Sequence, residues 1–166
     1  MDAKVSTIVI DTMTLARRIK CDAYLQELNS NGGKARKQLL QIEYGHPNDS
    51  IRNLYDLAYG MGKNLVVTHH LTDEYRTMPN KDGAMESMST GNRILEGLNG
   101  TYKHIDVALR NEKKSGGLAS KIVTCGYNLN LEGDTIPDCS WDALVGRIDM
   151  SLGGRIKIQR RNELVS

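Results

Sequence analysis

Phenylalanine is absent from the 166 residues and tryptophan occurs once. Only Tyr75 and Tyr102 lie in or beside the one long polar stretch, so support for stacking on nucleic-acid bases is thin. No apolar run approaches the roughly 20 residues that a membrane-spanning helix needs. The three cysteines, at 21, 125 and 139, have no short paired spacing. That excludes a disulfide scaffold and a zinc ribbon and suits a reducing cytosol. There is no excess of one charge: 22 basic residues stand against 20 acidic ones, a net of +2, so global charge does not announce a nucleic-acid partner. Internal repeats and low-complexity segments are also missing. The opening residues MDAKVS run into an apolar stretch that ends at Asp11, and no secretory signal is expected there.

What remains is a globular composition, 39% hydrophobic and 25% charged, of a length that suits one domain. Residues Val5 to Ile10 are β-branched apart from Ser6, as in a buried strand. Met13 to Leu28 reads as a helix, and Asn29 to Gly33 as the loop that ends it. Residues 34–42 suggest a short helix, and Tyr44 to Asp49 a second loop. A further helix follows, with Asp49 or Ser50 as its cap and Ile51, Leu54, Tyr55, Leu57 and Ala58 on an apolar face. Gly60 and Gly62 stop it, and Asn64 to Thr68 is a second buried-type strand. Strand, helix, helix, strand implies a parallel pair with a helical crossover, the α/β class.

Residues 71–93 are polar, with glycines at 83 and 91, and read as a long mobile loop, a kind of segment that is usually functional or disordered. Ile94 to Asn99 suggests a short helix. His104 to Arg110 and Lys121 to Leu131 read as strands, with Lys113-Lys114-Ser115-Gly116-Gly117 as a basic turn between them. This hairpin or meander is expected to extend the parallel sheet. Residues 132–149 are acidic, with a short helix around Trp141 to Met150, and Arg155 to Arg161 is a basic tail read as a last strand.

Two strand ends carry chemistry. Thr7-Ile8-Val9-Ile10-Asp11-Thr12 places an acid at the carboxyl end of a buried strand, where α/β sheets bind ligands. An aspartate there also fits the plainer role of capping the next helix. Asn64-Leu65-Val66-Val67-Thr68-His69-His70 ends a neighbouring strand in polar side chains, whose plainer role is structural. A zinc site of His69, His70, Cys125 and Cys139 has no supporting ligand spacing.

Together, over residues 5–115, these strands resemble the second half of a RecA-like P-loop ATPase core, of the phage-type recombination ATPases and their AAA-like relatives. The resemblance implies a mostly parallel sheet flanked by helices with a β-hairpin or meander extension. It makes Asp11 the acid that holds magnesium, with Thr12 beside it at the cofactor and Thr68 or His69 at the sensor position for catalysis. It makes 71–93 a DNA-contacting loop, with Arg76, Lys81 and Arg93 as nucleic-acid contacts. Lys113 and Lys114 become candidates for nucleic acid or for a neighbouring subunit's nucleotide.

One family element is missing. No G-x-x-x-x-G-K-[ST] sequence occurs. The nearest approach, Asn31-Gly32-Gly33-Lys34-Ala35, has Leu28 at the first glycine position and alanine where the hydroxyl belongs. It also follows a helix rather than a strand. Backbone N–H groups and the lysine of that loop neutralise the phosphates. Binding of ATP and Mg2+ is therefore expected only if an upstream or partner chain supplies a P-loop half, and the isolated chain is expected to be inactive. A core cut in this way should expose a sheet edge and an apolar face.

Charge is local. Residues 103–121 hold five basic and two acidic residues, while 132–149 hold five acids and one arginine. Clustered Lys and Arg can neutralise phosphates, although such clusters are more often solvated surface. The expectation is a single domain, 1–166, in three stretches: 1–70, 71–93 and 94–166. The function expected is an incomplete ATP-binding protein of DNA recombination or repair. It would be cytoplasmic, in a bacterial or phage-infected cell, and would pair with itself or with a P-loop chain, with single-stranded DNA a candidate partner. The alternative is a non-catalytic nucleic-acid-binding or interaction module on the same scaffold.

Overall fold

The computed structural model describes residues 5–32, 35–98 and 100–154. The fold is mixed α/β, with three small sheets and three helices. Where one domain was expected, the chain divides into two compact units, Met1–Thr101 and Tyr102–Ser166.

The first unit opens with β1 (Thr7–Ile10). Helix α1 (Met13–Ser30) starts at Thr12, whose extended backbone and hydroxyl cap it by accepting from the Leu15 amide at 3.2 Å. Its inner face carries Met13, Arg17, Cys21, Tyr24 and Leu28 at helical spacing, with Met13 and Cys21 buried. Gly32, at φ +86°, turns the chain away. The link to the next helix is tied down by side chains rather than by the expected helix at 34–42. The Asn29 carboxamide pairs with both backbone groups of Arg36, and the Arg36 guanidinium forks onto Glu43 at 2.9 and 3.0 Å. Glu43 also accepts from the Leu40 amide, and these bonds hold its carboxyl below the usual range.

Helix α2 (Gly45–Gly60) begins inside the stretch read as a loop. The stretch contains Pro47, which is tolerated in a first turn, where its missing N–H has no partner to lose. Pro47 is buried, and with Ile51, Tyr55 and Ala58 it forms the inward face. Asp49 and Ser50 therefore sit within the helix and do not cap it. β2 (Asn64–Val67) then runs parallel to β1, with Thr7 opposite Asn64 and Ile10 opposite Val67.

The stretch 71–93 is not a loop. It forms a two-stranded antiparallel ribbon, β3 (Leu71–Pro79) and β4 (Met85–Leu95), and Ile94 and Leu95 end a strand rather than starting a helix. The turn is built by Asn80, whose side-chain oxygen accepts from the Asp82 and Ala84 amides, and by Gly83 at φ +80°. The strands lack the usual alternation because neither face is buried. The ribbon packs chiefly against itself.

In the second unit, β5 (Val107–Lys114), β6 (Gly117–Cys125) and β7 (Thr135–Pro137) form an antiparallel meander. It is a separate sheet and does not extend the parallel pair. Helix α3 (Trp141–Ser151), capped by the Ser140 hydroxyl, closes a core of Ile122, Cys125, Leu131, Ile136, Leu144 and Ile148. Acidic residues of 132–149 act as ties: Asp134 receives the Arg147 guanidinium, and Glu132 accepts from the Thr124 hydroxyl and the Cys125 amide. The expected strand in the basic tail lies outside the described residues. Ile122 is fully buried, so Ile122→Ala should lower stability by about 2–5 kcal/mol, read as a lower urea midpoint at unchanged slope.

Candidate functional site

Alternation along β1 and β2 sorts their side chains onto two faces. Ile8, Ile10, Leu65 and Val67 are half-buried on the side of the crossover helices. Thr7, Val9 and Asp11 share the other face with Asn64, Val66 and Thr68, and all six are exposed. Val9 is 63% exposed and Val66 45%, so an apolar patch lies bare on a parallel pair, a structure normally covered on both faces. β1 pairs with β2 alone among the described strands, which leaves its outer edge open.

At the carboxyl end of this face the Thr68 hydroxyl donates to Asp11 Oδ1. These two predicted residues, 57 positions apart, are therefore brought together. The local reason is the parallel register, continued beyond the strands by the Thr68 amide donating to the Ile10 carbonyl and the Met13 amide to the Thr68 carbonyl. The Asp11–Thr12 peptide bond is cis. Asp11 does not cap α1. Thr12 does, so the Thr12 hydroxyl accepts from a helix amide while Asp11 stays exposed beside Thr68. Thr14 was missed by the sequence reading: its hydroxyl accepts from the His70 amide at 3.0 Å and fastens the end of β2's extension to the first turn of α1. A hydroxyl three residues past a strand-end acid was the available signal.

His69 is not beside Asp11. It falls on the opposite, helix-side face, with both ring nitrogens buried and without a hydrogen-bond partner among the described residues. Burial, and then the neighbouring His70, push its pKa below the ordinary histidine value. It is a neutral core imidazole rather than a group facing the site. His70 Nδ1 lies 3.8 Å from Glu96 Oε2.

The predicted nucleic-acid contacts divide. Arg76 is held by Glu74 at 2.6 Å, and Arg93 lies 3.6 Å from Asp73 and donates to the Leu71 carbonyl. Lys81 is exposed in the ribbon turn. The ribbon, 71–95, carries three basic and four acidic residues, so it has no positive field of its own. Lys113 and Lys114, in the second unit, are exposed at the end of β5 and have no carboxylate partner among the described residues. Strands β5 and β6 with their turn carry four basic residues and one acid.

Asp11 and Thr68 offer a carboxylate and a hydroxyl, both hard oxygen donors. That suits Mg2+, which is usually held by one or two carboxylates together with the substrate's phosphates. Among the described residues no group of three His, Cys, Asp or Glu side chains is placed to hold a metal ion by itself. No family model, no curated protein and no solved structure matches the chain.

His69 gives a signed pH effect. Its folded-state pKa lies below the unfolded value of about 6.5, so between the two the unfolded chain binds the extra proton. Its share of stability is complete above about pH 6.5 and falls away as pH drops through that window. Urea unfolding at about pH 7.5 and 5.5 should show the wild type losing more stability on acidification than His69→Leu.

Proposed function

We propose that the chain is the acid-and-sensor half of a RecA-like ATP-binding core, of the phage recombination and repair type. In this reading ATP·Mg2+ binds only when a P-loop half is supplied by an upstream segment, a second copy or a partner chain. The observation that carries the reading is the Asp11–Thr68 hydrogen bond at the carboxyl ends of two adjacent parallel strands. This is the position at which open α/β sheets receive ligands. The bare Val9 and Val66 face and the open edge of β1 support it, because they are the surfaces a preceding strand and helix would cover. When present, Mg2+ would neutralise charge on the transferred phosphate. Asp11 would hold the ion, and Thr68 would orient the Asp11 carboxylate and sense the terminal phosphate. His69 would build the core and has no catalytic part.

A second reading is favoured by one observation, the surplus of basic residues on β5–β6 against the near-balanced ribbon. There the chain is a nucleic-acid-binding module, and Lys113 and Lys114 contact phosphates. Isothermal titration of the isolated chain with ATP and Mg2+ should show no micromolar binding. Micromolar binding that disappears in Asp11→Asn would refute the need for a P-loop half. Single-strand binding that weakens with salt, ignores ATP and is lost in Lys113→Ala/Lys114→Ala would favour the second reading.

A further inference from the structure

The first unit holds a cleft of about 250 Å³ beside α1, to which neither Asp11 nor Thr68 contributes. It lies below the roughly 300–1,000 Å³ usual for larger ligands, so it suits a small molecule rather than a nucleotide. Its central group is Arg17. Arg17 Nε donates to Asn48 Oδ1 at 2.8 Å, and the guanidinium carbon stands 5.2 Å from the centre of the Tyr44 ring. Gly97, at φ +80°, makes room on a third side: a Cβ there would come within 2.7 Å of Arg17 Nη1. Three neighbours thus fix one half-buried guanidinium, and none of them is a carboxylate. Its two terminal nitrogens have no acceptor among the described residues, which leaves the fork that binds planar oxyanions unused.

The remaining lining has both signs. Arg18 and His70 add two basic side chains, and Asp22 and Glu96 add two carboxylates, with Glu96 Oε2 3.8 Å from His70 Nδ1. The Cys21 thiol at the wall is pushed up by burial and stays neutral. Two carboxylates in the lining repel a polyphosphate, so the cleft is unsuited to a nucleotide's phosphate chain. They attract the ammonium end of a ligand whose oxyanion lies on Arg17.

We propose that this cleft binds a small zwitterion, an α-amino acid or an aminoalkyl phosphate, with its oxyanion on the Arg17 fork and its ammonium toward Glu96 and Asp22. The assignment is independent of any nucleotide site at Asp11. The test uses the full 15N-labelled chain, with the Arg17 Nε–H resonance as reporter. Alanine, O-phosphoethanolamine, acetate and methylammonium are titrated separately to about 20 mM at constant ionic strength, which brackets a dissociation constant on the order of 1 mM.

Alanine or O-phosphoethanolamine should shift the resonance saturably, at least about five-fold more tightly than acetate. The stronger of the two identifies carboxylate or phosphate as the oxyanion. In Arg17→Lys, which keeps the charge but loses the fork, backbone resonances around the cleft should show binding weakened by about ten-fold. Glu96→Gln should remove the preference for the zwitterion over acetate. Gly97→Ala, which displaces the guanidinium, should weaken all the probes that bind. The amide spectra of these variants show directly whether each is folded. The proposal is overturned if no probe gives a saturable shift, if acetate binds as well as the zwitterions, or if folded Arg17→Lys binds unchanged.

Discussion

Two strands that run in the same direction cannot be joined by a tight turn; the chain must cross back over the sheet before the second begins. That requirement organises the first unit. Between β1 and β2 the chain spends α1, a side-chain-fastened link and α2; α1 packs on α2, and α2 packs on β2. Because the strands are parallel, their carboxyl ends finish side by side, and Asp11 meets Thr68 although the two are distant in sequence. An antiparallel pair with the same residues would have put them at opposite ends.

The same geometry leaves the pair incomplete. One face has no covering element and neither strand has a second strand partner among the described residues, and a two-stranded sheet is marginal by itself. The polar pair at the carboxyl end therefore borders an apolar surface, Val9 and Val66, rather than solvent-adapted side chains. Polar chemistry beside two uncovered valines is what the proposed missing half would complete. The β3–β4 ribbon leaves the end of β2 after only three residues, so its base stands close to Asp11 and Thr68. Its mixed charge gives it no general attraction for phosphates.

Periodicity made the buried elements legible. β1, α1, α2, β2 and α3 each bury a face, and each appears near its expected place. Asp11 and Thr68 were legible because the ends of these strands are marked by a change from apolar to polar residues, although the strands are half-buried on one face and exposed on the other rather than buried as expected. The ribbon was not legible as strands because its side chains face solvent on both sides, which erases the alternation that marks a half-buried strand; only Asn80 and Gly83 betrayed the turn. Pro47 concealed the start of α2. His69 was misplaced because neighbouring residues on a strand point to opposite faces, and Thr68 already occupied the site side. The Arg17 cleft is assembled from α1, the residues around Tyr44 and Gly97, which no local pattern connects.

The central claim is that, among the described residues, β1 has an open outer edge and its Asp11-bearing face is uncovered. Residue-resolved amide hydrogen exchange tests it directly. The Ser6 and Ile10 carbonyls accept from the Asn64 and Thr68 amides, so the N–H groups of Ile8 and Ile10 face the partner strand while those of Thr7 and Val9 face outward. The account predicts slow exchange at Ile8, Ile10 and Val66, and fast exchange at Thr7 and Val9. Slow exchange at Thr7 and Val9 as well would mean that the edge is already paired, and would contradict the claim that the core awaits another half.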